Sequence, residues 1–130
     1  MRDRNLGAVC DTYLGRARRH LPVDVVEIDD DAALLRRIPT GADIIALEAG
    51  GEAWDTAKLT AYVEKSMVHG TKAVVFLIGG SDGLPRAAVE RASLRLSLSA
   101  MTLPHRLARV VLCEQIYRAL SIIKGEPYSR

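Results

Sequence analysis

The chain has 130 residues, 48% of them apolar and 26% charged, a balance too apolar for a disordered segment and sized for one compact core. Eighteen Lys and Arg against sixteen Asp and Glu leave a formal charge of only +2, so bulk charge by itself does not announce a nucleic-acid partner, and any basic surface must come from local clustering. Cys10 and Cys113 lack CxxC or Cys/His spacing, so neither a metal site nor a disulfide framework is legible, and reduced thiols in the cytoplasm are expected. No run approaches the roughly 18 apolar residues of a membrane span, and the start Met1-Arg2-Asp3-Arg4-Asn5 has no apolar signal core.

In chain order, Leu6, Val9, Cys10, Tyr13, Leu14 and Ala17 recur at helical spacing. Arg16, Arg18, Arg19 and His20 crowd the end of that helix, either as a solvated terminus compensating the helix dipole or as an RNA contact. After Pro22, the residues Val23, Val25, Val26 and Ile28 predict a strand, and Asp29 to Asp31 cap a short helix through Arg37. Asp43 to Leu47 is a second strand, followed by a glycine-containing loop from Glu48 to Trp54 and a helix from Asp55, as N-cap, to about His69. Lys72 to Ile78 holds an apolar run typical of a parallel strand covered on both faces, expected at the centre of the sheet. Gly79 to Gly83 forms the next loop, and Pro85 opens a helix to about Ala92. Leu94 to Leu98 is a short strand, and the last helix runs from about His105 to Ile123 before Gly125 and Pro127 end it.

Alternating strands and helices predict one α/β domain over residues 1–130, with a mostly parallel sheet flanked by helices. Ligands of such sheets sit beyond the carboxyl ends of the strands, which here means the loops Leu47 to Trp54, Gly79 to Gly83 and Leu98 to Pro104. Gly79 and Gly80 permit close approach to the main chain, by a ligand or within a turn, and match neither a GxGxxG fingerprint nor a P-loop. Ser99 and Thr102 either satisfy backbone groups of a tight loop or line a pocket. Arg106, Arg109, Arg118, Lys124 and Arg130 give the C-terminal region a basic bias suited to phosphate. Glu114 stands four residues before Arg118, in the order that favours an intrahelical ion pair. His105 at a helix start and Tyr128 in the tail complete the candidates, Tyr128 as packing or as a platform for a base.

Three stretches carry a family resemblance: Phe76-Leu77-Ile78-Gly79-Gly80-Ser81-Asp82-Gly83-Leu84, then Leu96-Ser97-Leu98-Ser99-Ala100-Met101-Thr102-Leu103-Pro104-His105, then Glu114-Gln115-Ile116-Tyr117-Arg118-Ala119 with Pro127-Tyr128. Together they resemble the 23S ribosomal RNA pseudouridine N3-methyltransferases designated by the letter H, within the SPOUT superfamily, from about Tyr13 to the end. The resemblance implies a deep C-terminal trefoil knot, a homodimer, and S-adenosylmethionine held by Leu47, Gly79, Gly80, Leu98, Ser99, Ala100, Met101, Thr102 and Leu103. It implies as substrate a pseudouridine in helix 69 of the 23S rRNA, presented on the assembled ribosome. The implied catalytic groups are Tyr128, placing the base, with Arg118, His105 and Ser129, and the implied RNA contacts are Arg106, Arg109 and Arg130. Membrane and metal play no part in that reading.

The chain departs from the family pattern in three places. Ser129 stands where the family tail, Pro-Tyr-His-Arg, has histidine, so the alternative is a non-catalytic RNA- or ribosome-binding module that keeps the cofactor pocket. Relatives begin with an apolar strand, and Met1-Arg2-Asp3-Arg4 falls near where that strand would end, so the first strand of the family is expected to be missing. The stretch from Asp29 to Ala42 is short, and Glu48-Ala49-Gly50-Gly51 replaces a more familiar Leu-Asp start of the first cofactor loop.

Overall fold

The computed structural model describes residues 3–129, with side chains through Tyr128. Among the described residues the elements run α1 (Arg4–Ala17), α2 (Asp31–Arg37), β1 (Asp43–Ala53), α3 (Thr56–Val68), β2 (Val74–Leu77), α4 (Arg86–Arg91), β3 (Leu94–Ser97) and α5 (His105–Ile123), then a 3-10 turn over Pro127–Ser129. Short carboxylates start three helices. Asp3 accepts from the N–H groups of Asn5 and Leu6 at 3.0 Å, Asp30 from Ala33 at 2.8 Å, and Asp55 from Lys58 at 2.8 Å. Each cap satisfies a donor that the first helical turn leaves open, an effect of about 1 kcal/mol. At the other end of α5, Gly125 adopts φ +72°, and Glu126 donates its N–H back to Ser121 at 2.8 Å. That left-handed residue turns the chain toward the tail, and a side chain there would strain the turn.

The sheet has the order β2-β1-β3 with all neighbours parallel. The apolar strand β2 was expected at its centre and lies at its edge, because β1 is hydrogen-bonded on both sides. Apolar content reports covered faces and says nothing of position in the hydrogen-bond order. Val75 and Leu77 of β2 pack with Ile44 and Ala88 against Leu34, Leu35 and Ile38, beneath α2 and α4. Ile45 points to the opposite face from Ile44 and is fully buried, so that face is covered as well.

The strand expected over Val23 to Ile28 does not form. A strand needs a hydrogen-bonded neighbour, and the three described strands pair only among themselves. Val23 instead packs sideways onto α1 and α5, its carbonyl accepting from Arg18 Nε at 2.7 Å, while Val25 and Val26 remain exposed. Strand β1 is also longer than the expected Asp43 to Leu47, since Glu52 and Ala53 pair again with β3 after residues 48–51 swing out of register.

Helices α1 and α5 pack through Cys10, Leu14 and Cys113, and one turn further on through Ala17, Tyr117 and Leu120. Complete burial of an aliphatic side chain such as Leu120 contributes roughly 2 kcal/mol. Burial, reinforced by the neighbouring Cys10 thiol, pushes the Cys113 thiol up to about 12, so the reactive thiolate is scarce near neutrality. Cys113 should therefore resist a disulfide reagent such as DTNB in the native protein, Cys10 should be shielded by its complete burial, and both should react fully once guanidinium unfolds the chain. Rapid native labelling would place a thiol outside this interface.

Candidate functional site

Parallel strands end on a common edge, and the register locates that edge: Ala46 lies opposite Leu77, and Leu47 opposite Leu96. The chain leaves β2 at Ile78 and β3 at Leu98, and β1 loses its register after Leu47, so the three loops read from the sequence fall on one side of the sheet. Each is built differently. After the first, Glu52 returns to register with Leu96 and Ala53 with Ser97, so part of the expected loop is strand.

In the second loop, Gly80 and Gly83 form a small antiparallel bridge, with the Gly83 N–H donating to the Gly80 carbonyl at 3.0 Å. A Cβ on Gly79 would fall 2.5 Å from the Gly83 carbonyl carbon and 2.6 Å from the Leu84 nitrogen, whereas a Cβ on Gly80 would meet nothing within 4 Å. The turn itself thus demands Gly79. Gly80 leaves open room at the sheet edge.

In the third loop, Ser97 Oγ donates to the Ser99 carbonyl at 2.7 Å, and the Met101 N–H donates to Ser99 Oγ at 3.0 Å. The Ser99 hydroxyl oxygen thus serves the loop backbone as an acceptor, as in the plainer of its two readings. Leu98 and Leu103 are half-buried, Ala100 and Thr102 are exposed, and the Met101 side chain stands out at 78% exposure. Of two open depressions of about 530 Å³, one runs along α4 and β3 and reaches Glu52 of the first loop, and the other lies between α3 and α5; neither is lined by the second or third loop.

A polar cluster occupies the far half of α5. Glu114 Oε2 accepts from Arg118 Nη2 at 2.7 Å, from Arg118 Nε at 3.0 Å and from the Tyr128 hydroxyl at 2.8 Å. Its other oxygen accepts from Gln115 Nε2 at 2.9 Å, and Gln115 Oε1 accepts from Thr56 Oγ1 at 2.7 Å. The Arg118 guanidinium lies 4.9 Å from the Tyr128 ring centre, and that ring lies 4.5 Å from Tyr117. Burial of Glu114 pushes its carboxyl up, but hydrogen bonds from Arg118, Tyr128 and Gln115 outweigh burial and hold it below the ordinary range. Burial and the adjacent Glu114 push the Tyr128 phenol up, so it remains a donor at any physiological pH. The ion pair expected from the spacing of Glu114 and Arg118 is present, and the same carboxylate also holds the tail.

The sequence reading did not single out Glu114 as the hub of this cluster. Its spacing to Arg118 was visible, whereas the ties to Tyr128 and, through Gln115, to Thr56 span 14 and 59 residues and needed the fold.

Other candidates are dispersed. His105 opens α5, 13 residues before Arg118, which at about 1.5 Å per residue puts their backbones roughly 20 Å apart within one chain. Arg106 is exposed beside it. Arg109 is engaged, donating from Nη1 to Glu27 at 2.5 Å and holding that carboxyl well below its usual range. Ser129 closes the 3-10 turn, its side chain lying outside the described part, and Arg130 lies outside the described residues. Among the described residues no three His, Cys, Asp or Glu side chains form a metal-binding group, and no helix is long and apolar enough to cross a membrane.

The family profile described as "Predicted SPOUT methyltransferase" matches residues 1–129. The chain is 46% identical over 134 residues to the ribosomal RNA large subunit methyltransferase H of Sorangium cellulosum, covering 99% of this chain and 92% of that one. It is 42% identical over 130 residues to the protein of the same name from Solibacter usitatus, with the same two coverages. The protein of that name from Ruminiclostridium cellulolyticum is 34% identical over 149 residues, covering 100% of this chain and 94% of its own. With the α/β architecture and near-complete alignments in hand, the chain belongs to the SPOUT methyltransferases, in the family of the ribosomal RNA large subunit methyltransferases H.

Proposed function

We propose that this chain methylates large-subunit ribosomal RNA, transferring the methyl group of S-adenosylmethionine to N3 of a pseudouridine in helix 69 of the 23S rRNA. The observation that carries the reading is the parallel register, which sends Leu47, Gly79-Gly80 and Leu98 to Leu103 out of the same sheet edge. These residues fit an adenosyl donor: open space at Gly80, exposed apolar surface at Met101, and half-buried Leu98 and Leu103. The donor, when bound, supplies an electrophilic methyl carbon on a sulfonium. Everything else falls to alignment by the chain, because an in-line displacement depends chiefly on the approach of the nucleophile.

In this reading Tyr128 places the base through its ring, because its hydroxyl proton is held by Glu114 and its raised pKa makes it unfit to take the N3 proton. Arg118, fixed by Glu114, orients the nucleotide. His105 and Arg106 stand at the start of α5 and the Tyr128 cluster toward its end, so the homodimer implied by the resemblance would let one chain's tail serve its partner's loop edge. Sedimentation equilibrium should give twice the 14.2 kDa chain mass. A deep trefoil knot belongs to the same proposal. An experimental backbone trace that pulls straight from its two ends would remove the knot.

The test is transfer of labelled methyl from S-adenosylmethionine to ribosomes that lack the modification, acting in the cytoplasmic setting the reading assumes. One label per 23S rRNA, mapping to a pseudouridine of helix 69, is the expected result. Label on another nucleotide would correct the substrate. No label from wild type, with activity appearing in Ser129→His, would favour the non-catalytic module instead.

A further inference from the structure

We infer that the C-terminal end of α1 and the residues just past it, through Arg16, Arg18 and Arg19, form a docking surface for the phosphate backbone of the substrate RNA. The inference rests on the RNA-methylating reading and extends it to a part of the fold that lies outside the loop edge. Among the described residues, none of the three arginines has a carboxylate within ion-pair reach, whereas Arg86, Arg95, Arg109 and Arg118 each pair with a glutamate. Arg18 and Arg19 are exposed, and each is rooted by Nε, to the Val23 carbonyl at 2.7 Å and the Arg16 carbonyl at 3.5 Å. That leaves the outer edge of each guanidinium toward solvent. Dipole compensation alone does not require this, since a helix C-terminus carries about half a negative charge and three full positive charges crowd it.

The turn also lies beside the tail. Arg16 sits 5.8 Å from the Tyr117 ring centre, Tyr117 packs at a tilt against Tyr128, and Tyr128 lies against the buried cluster of Ala17 and Tyr117. Two positions past Arg18, His20 contacts Glu126, two residues before Tyr128. Unpaired guanidinium groups therefore flank the aromatic face that the proposed function assigns to the base. Paired N–H donors suit phosphate oxygens, and positive charge next to a stacking ring is the usual composition of a surface that tracks single-stranded or hairpin RNA.

The experiment compares wild type, Arg18→Ala/Arg19→Ala and Arg18→Lys/Arg19→Lys, using unmodified ribosomes as substrate and a 23S rRNA fragment containing helix 69 as binding probe. The double alanine variant should raise KM about tenfold with kcat nearly unchanged. Its RNA affinity should lose roughly 0.7 of log-log salt slope per phosphate contact removed. The double lysine variant should recover most of the loss, and S-adenosylhomocysteine affinity should stay constant across all three. Wild-type turnover with unaltered KM and salt slope in the double alanine variant overturns the docking surface and leaves the methyltransferase reading standing. RNA binding that weakens in the same variant while wild type transfers no methyl supports the surface and removes the activity. Equal weakening toward anionic phosphatidylglycerol vesicles, with KM for ribosomes unmoved, would mean a lipid partner and overturn the RNA assignment.

Discussion

Glu114→Ala is expected to lower methyl transfer by about 100-fold or more, the loss that a misplacement of about 1 Å produces in an alignment-dependent reaction. The carboxylate is the common acceptor for Arg118 and the Tyr128 hydroxyl, and its loss leaves both half-buried donors without a partner at once. A guanidinium freed from its carboxylate can swing, and the tail that Tyr128 anchors loses a hydrogen bond to α5. Glu114→Gln should fall between, because it keeps an acceptor oxygen for one donor and loses the charge. The same carboxylate gives a pH signature. Its native pKa is depressed, so its contribution to stability is fully present above the ordinary value of 4.5 and is lost as pH falls below that through the native value. The melting-temperature gap between wild type and Glu114→Gln should thus be widest near neutrality and shrink below about pH 4. A gap independent of pH, with turnover intact, would make Glu114 an ordinary surface ion pair.

The second large effect separates two adjacent glycines. Gly79→Ala drives a Cβ into the backbone of Gly83 and Leu84, and a backbone cannot yield as the end of a flexible side chain can. The expected cost is roughly 1 to 3 kcal/mol, as for other overpacked sites, read as a drop of several degrees in Tm. Gly80→Ala projects into open space and should leave Tm within about a degree of wild type, since no strained contact is created. Its effect should appear in calorimetric titration with S-adenosylhomocysteine, as a weakening of about tenfold, the scale of one lost close approach. Unchanged affinity in Gly80→Ala would move the cofactor away from this turn even if the enzyme is active. The pair thus distinguishes a glycine demanded by the protein from one that keeps room for a ligand.

Local chemistry carried much of this protein in legible form. Asp55 as a cap, Gly125 as a stop, and α5 from His105 to Ile123 all follow from neighbours within a few residues, where helix signals are strongest. The strand–loop–helix alternation likewise fixed a parallel sheet with its loops at one edge. What the pattern could not decide was partnership. Val23 to Ile28 has strand composition and finds no strand to pair with, while the apolar run of β2 takes an edge because β1 holds both its neighbours. Within β1, residues 48–51 slip out of register and Glu52 and Ala53 pair with β3 again, a shift no local periodicity encodes. Glu114 shows the same division at the site. Its ion pair with Arg118 lies within one turn of helix, whereas its grip on Tyr128 and its link to Thr56 exist only because folding closes long stretches of chain. Sequence specifies which groups each segment offers, and the tertiary structure alone chooses which of them meet, since hydrogen bonds and burial are satisfied by contacts distant along the chain.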